Sequence, residues 1–312
     1  MVGQLRTLLA LLAFAVIGSP LRAQEPLPPP PLEFADPESA EPVFDVPDLN
    51  SDPQFEHGKP HKVVDAVGWV FGIPKKIVLW DRRAVNHNVS PETEQRLAQY
   101  LQDNGLSTTK VRINQYDPVG EWQRLRANKE VGAGWRYTVG AFGTLGYTLI
   151  PGRLFGVDRY NPYTDSIYIY SDIPCIAQEQ AGHAKLVHGR QHPGTYATVT
   201  SLPVVRLWPA KQMKNDVLDY TLATGTPTQQ DEATRVLYAE FGAEVGGQAS
   251  MLVGGNLPLT LAGAGVGHVA ARFNSTGPPE PASSEADPAL QPEADSQLSA
   301  TQASATEETV QR

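Results

Sequence analysis

The chain of 312 residues contains one cysteine, Cys175. A single thiol cannot close an internal disulfide or form half of a Cys-type zinc site, so the fold must rest on packing. A small, buried, apolar role is expected for it. Basic residues are scarce at both ends. Residues 24–60 hold one, Lys59, against 9 acidic residues, and residues 275–312 hold one, Arg312, against 7. The second of these segments also lacks any aromatic residue. Neither has the apolar content to build a core. From Val245 to Ala271 there is no Asp, Glu, Lys or Arg at all. No run of Lys and Arg occurs, which removes the electrostatic footprint of a nucleic-acid binder. The Gly-x-Ser-x-Gly elbow, the phosphate-binding loop and the dinucleotide fingerprint are also missing.

What remains divides cleanly. Arg6 and the apolar run from Leu8 to Ile17 form the first parts of an export signal. Gly18-Ser19-Pro20 breaks the run, and Leu21-Arg22-Ala23 offers a cleavage site before Gln24. The run is too short for an ordinary membrane span; an uncleaved anchor is the alternative. Residues 24–60, with 10 Pro, read as a Pro-rich acidic linker. Residues 275–312 read as a disordered acidic tail. The whole chain carries −9, yet residues 61–274 hold 21 basic and 18 acidic residues, a core of +3. The acidity therefore belongs to the ends, where it aids solubility. Just over 200 residues suffice for one sizeable domain.

The core opens with a β-α-β-α pattern. Lys76 to Trp80 is a short apolar run suited to a buried strand. Ser90 caps a helix with Pro91 first, Glu92 and Glu94 on its dipole, and Leu97, Tyr100 and Leu101 along one face. Val111 and Ile113 suggest a second strand, and Glu121 to Asn128 a second helix. Ser166 to Tyr170 alternates as a half-buried strand. Ser171 or Asp172 then caps a helix with Pro174 in its first turn. Helices are expected over Asn215 to Leu222 and Gln229 to Val245. The uncharged stretch 245–271, with 7 Gly, reads either as membrane contact with Gly263-x-x-x-Gly267 as a packing face, or as buried Gly-rich helices.

The helix after Pro174 carries Glu179-Gln180-Ala181-Gly182-His183-Ala184. Its spacing matches the zinc-protease signature His-Glu-x-x-His. There, two His four apart on one helix face hold Zn²⁺, and the Glu takes a proton from the metal-bound water. Here Glu179 stands in place of the first His and Gln180 in place of the Glu. A Gln amide cannot accept that proton at neutral pH.

With its flanks the segment resembles a bacterial envelope family of zincin-like proteins whose members carry His-Glu-Ala-Gly-His-Ala-Lys here. The likeness runs from about Ile77 to Phe273. It includes Val111-Arg112-Ile113-Asn114-Gln115-Tyr116-Asp117-Pro118, Leu149 to Gly156, and Asn161 to Asp172 leading into the motif. The resemblance implies an α+β, zincin-like fold: a mixed sheet packed on helices, with the motif helix following an edge strand that borders a cleft, and Gly-rich apolar helices near the C-terminus. It matches His183 to the second zinc ligand, Glu179 to the first as a vestigial carboxylate, and Gln180 to the lost base. A third ligand is expected near Leu207 to Lys211, where Lys211 would repel a metal. Glu240 and Glu244 lie four apart and are substitute ligands only if they leave the solvated face that such a pair ordinarily occupies.

Of the other histidines, His188 and His192 span Gly189 and read as loop residues, and His268 as a structural hydrogen-bond former. The expectation is an exported envelope protein, in the periplasm or membrane-associated. It binds or scaffolds a protein or peptide partner, with no cofactor required. An active peptidase using zinc on Glu179 and His183, and a structural protein unrelated to proteases, are the alternatives.

Overall fold

The structure is a computed structural model that describes residues 52–59, 61–252 and 257–275. It is mostly helical with a small mixed four-stranded sheet, an α+β arrangement. The strands are β1 (Phe55–His57), β2 (Lys110–Ile113), β3 (Arg159–Asn161) and β4 (Ser166–Ile169), in the spatial order β1-β2-β4-β3. β1, β2 and β4 run parallel, with Val111 between Phe55 and Ile167, and β3 pairs antiparallel to β4. β1 falls inside the segment expected to be linker, so that segment contributes a strand through Phe55, which is buried against the main core.

The helices are α1 (Lys62–Phe71), α2 (Ile73–Leu79), α3 (Pro91–Asp103), α4 (Pro118–Ala127), α5 (Ala141–Leu149, entered through one helical turn at Ala133–Trp135 and a π-helical turn at Arg136–Gly140) and α6 (Gly152–Phe155). Then follow α7 (Pro174–His188), α8 (Pro193–Thr200), α9 (Leu207–Thr224), α10 (Pro227–Leu252) and α11 (Leu257–Asn274). Strand side chains alternate between faces. Val111, Ile113, Ile167 and Ile169 point into a core with Leu97, Leu101, Ile176, Ala181, Val217 and Val236 from α3, α7, α9 and α10. Tyr168 and Tyr170 cluster with Tyr147 and Val85 instead.

Three expectations need correction. The run Lys76 to Trp80 is the helix α2 and its cap, not a strand. Pro74 starts it, Lys76 and Leu79 are its buried pair three apart, and Trp80 ends it in the left-handed region at φ 53°. Ser166 to Ile169 is neither half-buried nor an edge strand: every residue is buried, because the helices and the tyrosine cluster cover its two faces and β2 and β3 pair its two sides. Asp172 does not cap α7, whose preceding residue is Ile173. Its Oδ1 accepts from the Ser90 backbone N–H (2.9 Å), the Ser90 hydroxyl (2.6 Å) and the Thr93 hydroxyl (2.7 Å), tying the start of α3 to the start of α7. The helix from Ser90, strand β2 and the motif helix form where expected, and Cys175 is buried.

The uncharged stretch forms the end of α10 and most of α11, which pack closely on each other. A Cβ on Gly263 would lie 2.1 Å from the Gly242 carbonyl oxygen, and one on Gly267 would lie 2.2 Å from that of Tyr238. The Gly263-x-x-x-Gly267 face is thus used within the protein, against α10. Among the described residues no helix is long and apolar enough to cross a membrane.

Candidate functional site

The motif helix α7 is almost wholly buried, and Glu179 points from it toward α9 and α10. Its carboxylate meets the ammonium of Lys214, a residue of α9 whose side chain is 0% exposed. The same Nζ lies 3.7 Å from Glu240 Oε2 and 3.5 Å from Glu244 Oε2, both on α10. Glu240 continues the network, with its Oε1 3.2 Å from Lys75 Nζ on α2. Lys75 in turn lies 3.2 Å from Asp158 Oδ2. Asp158 accepts from the backbone N–H groups of Tyr170 (2.7 Å) and Ser171 (2.9 Å). One buried chain of alternating charge thus joins α7, α9, α10, α2 and the end of β4.

The protonation states follow from this crowding. Burial first, and the Glu240 charge second, push the Glu179 carboxyl well above the usual carboxylate range. Burial would raise Glu240 too, but Lys75 and Lys214 outweigh it and hold Glu240 down to about 2. Burial works against the charge on Lys214, and the Glu179, Glu244 and Glu240 carboxylates overcome it, so its pKa rises. The Oε2 atoms of Glu179, Glu240 and Glu244 are buried without a hydrogen-bond partner. A hydrogen bond from a protonated Glu179 to an ionised Glu240 accords with the directions of both shifts.

Of the residues expected at a metal centre, Glu179, Glu240 and Glu244 are brought together, around Lys214. Glu240 and Glu244 do not form a solvated face: their side chains are 13% and 23% exposed. His183 stands apart. Its ring packs edge-on against Tyr160 at 5.3 Å and makes no hydrogen bond or ion pair among the described residues. Gln180 is half-buried and its amide donates only to Ile176 O of its own helix, at 3.5 Å. Lys211 is half-buried too, but the cation that enters the site is Lys214, one turn further along α9.

These residues do not fit a zinc ion. An ammonium already sits among the three carboxylates, and a ligand carboxyl must be deprotonated to bind metal, against the shift of Glu179. A divalent ion some 3.5 Å from that ammonium would be repelled by about 9 kcal/mol at an effective dielectric of about 20. Among the described residues no group of three or more His, Cys, Asp or Glu is placed to hold a metal.

Two further histidines serve the fold, and His188, expected in a loop, is instead the last residue of α7. His188 Nε2 lies 2.9 Å from Asp165 Oδ1, which also accepts from Tyr160 (2.9 Å) and Thr109 (2.9 Å). His268 Nε2 donates to Val78 O at 2.9 Å, joining α11 to α2. His183 carries a pH consequence. Burial, with Arg206 adding to it, pushes its pKa down to about 4 from 6.5. Between these values the unfolded chain binds the proton more readily than the folded one, so stability falls as pH drops from about 6.5 to about 4. His183→Leu should flatten that part of a plot of urea midpoint against pH; an unchanged slope would place the titration elsewhere.

Lys214 is the residue that sequence reasoning missed. A signal was present. The buried positions of α9 are Leu207, Pro209, Ala210, Met213, Lys214, Val217, Leu218 and Thr221, a helical stripe with one lysine in its middle. A charge at a core-facing position demands a buried partner.

Comparison with protein-family models, with curated proteins and with solved structures gives no match to this chain.

Proposed function

We propose that this chain is an exported, zincin-like protein of the cell envelope that has exchanged metal chemistry for binding or scaffolding. The observation that carries the reading is the Lys214 ammonium among Glu179, Glu240 and Glu244, where a metal-binding helix would present its ligands to an ion. Gln180 in the place of the general base supports it independently, because restoring a metal would still leave no group to take the proton. The internal cation keeps the motif helix joined to α9 and α10 without a cofactor. The fold that would surround a substrate is thereby held in one shape.

An extended partner segment cannot pair with β4, whose two sides are occupied. The outer side of β3 is the position for strand addition next to the motif helix, with Tyr160 beside His183. The test is peptidase assay of the full chain with added zinc, beside Gln180→Glu and His183→Ala. All three should show the same background rate, because Lys214 is present in each. Hydrolysis that His183→Ala abolishes, or that Gln180→Glu raises strongly, would overturn the reading.

A further inference from the structure

We propose that the outer face of α11 together with α2 docks peripherally on an anionic phospholipid bilayer. α11 turns Gly263, Ala264, Gly267 and Ala271 toward α10. Away from that contact it presents two i,i+4 pairs, Leu257 with Leu261 and Val269 with Phe273, all exposed. His268 joins this helix to Val78 of α2, which adds Ile73 and Ile77 and ends at Trp80. Trp80 is 80% exposed and Phe273 is 84% exposed, so most of each large aromatic surface is left in water, as at an interaction site.

The charges beside this face select the occupant. Arg82 follows Trp80 and Arg272 adjoins Phe273; both are exposed, and neither pairs with an acid among the described residues. The acids nearby are neutralised. Arg83 holds Asp81 at 2.8 Å as well as pairing with Glu232, and Arg235 lies 3.4 Å from Asp81. The face is therefore apolar and aromatic with uncompensated positive charge only, the composition of a surface that rests in the headgroup region of an acidic membrane. No described helix can cross the bilayer, so contact is from one side. This inference does not depend on whether the motif helix binds metal.

The experiment mixes the full chain with vesicles of brominated phosphatidylcholine and phosphatidylglycerol and reads quenching of tryptophan fluorescence. Quenching is expected, and Trp80→Phe should remove most of it while Trp135→Phe leaves it. Trp80→Ser combined with Phe273→Ser should weaken partitioning by about tenfold or more with an unchanged melting curve, since both side chains are exposed. Brominated vesicles of phosphatidylcholine alone should bind weakly. Quenching that survives in Trp80→Phe would show that contact is made elsewhere, for instance through residues 8–17, and would overturn the proposal. So would absence of binding, or self-association abolished by the double variant with no vesicle binding, which would assign the face to a second copy of the chain.

Discussion

Lys214→Met should destabilise the protein by about 3–5 kcal/mol, the cost of leaving buried carboxylates without their cation. The variant keeps side-chain volume and leaves Glu179, Glu240 and Glu244 facing one another, with Lys75 as the remaining near counter-charge. Urea unfolding at neutral pH measures it. An exposed lysine such as Lys129, changed in the same way, should move stability by no more than about 0.5 kcal/mol. The deficit should also depend on pH with a definite sign. In the parent, Glu240 has a folded pKa of about 2 against an ordinary 4.5, so its contribution is present above pH 4.5 and is lost as pH falls. In the variant the crowded carboxyls take up protons more readily when folded, so its stability gains as pH falls. The gap between the two should therefore begin to narrow above pH 4.5, where the variant gains, and go on narrowing toward pH 2 as the parent loses the Glu240 contribution. Adding Glu179→Leu to Lys214→Met should recover part of the loss, because it removes a buried carboxyl left without its Lys214 partner. A gap that stays constant with pH, or a second substitution that merely adds to the first, would mean that Lys214 acts through packing.

Gly263→Ala and Gly265→Ala should move stability in opposite directions although they stand two residues apart on α11. A Cβ at Gly263 would meet the Gly242 carbonyl oxygen at 2.1 Å, and backbone cannot swing aside as a long side chain can. α10 and α11 would have to separate, at a cost of about 1–3 kcal/mol or more. A Cβ at Gly265 meets nothing within 4 Å, and Ala in an exposed helical position should stabilise by about 0.5–1 kcal/mol. Thermal unfolding of the two variants checks both signs. Equal effects would contradict the close approach of the two helices.

The sequence displayed the parts of this structure that rest on local signals. Ser90-Pro91 with acids in the first turn yields α3, and Val111 and Ile113 yield β2, because capping and alternation are written in adjacent residues. The motif helix was legible for the same reason. α2 was misread because a seven-residue amphipathic helix and a strand share the same short apolar run, and only Pro74 argued for the helix. The burial of β4 on every side depends on β2 and β3 pairing across it, which no local pattern states. At the candidate site, Glu179, Gln180 and His183 were visible through motif spacing. Lys214 was not, because its meaning arises only when α7, α9 and α10 converge on it. The same convergence turned Glu240 and Glu244 from an apparent solvated pair into its neighbours.

The central claim is that an internal ammonium holds the place a metal would take. Its most direct test is the metal content of the purified full chain after incubation with excess zinc and removal of unbound ion, read by elemental mass spectrometry beside His183→Ala. The account predicts the same substoichiometric background in both. Near-stoichiometric zinc in the parent, lost in His183→Ala, would contradict it.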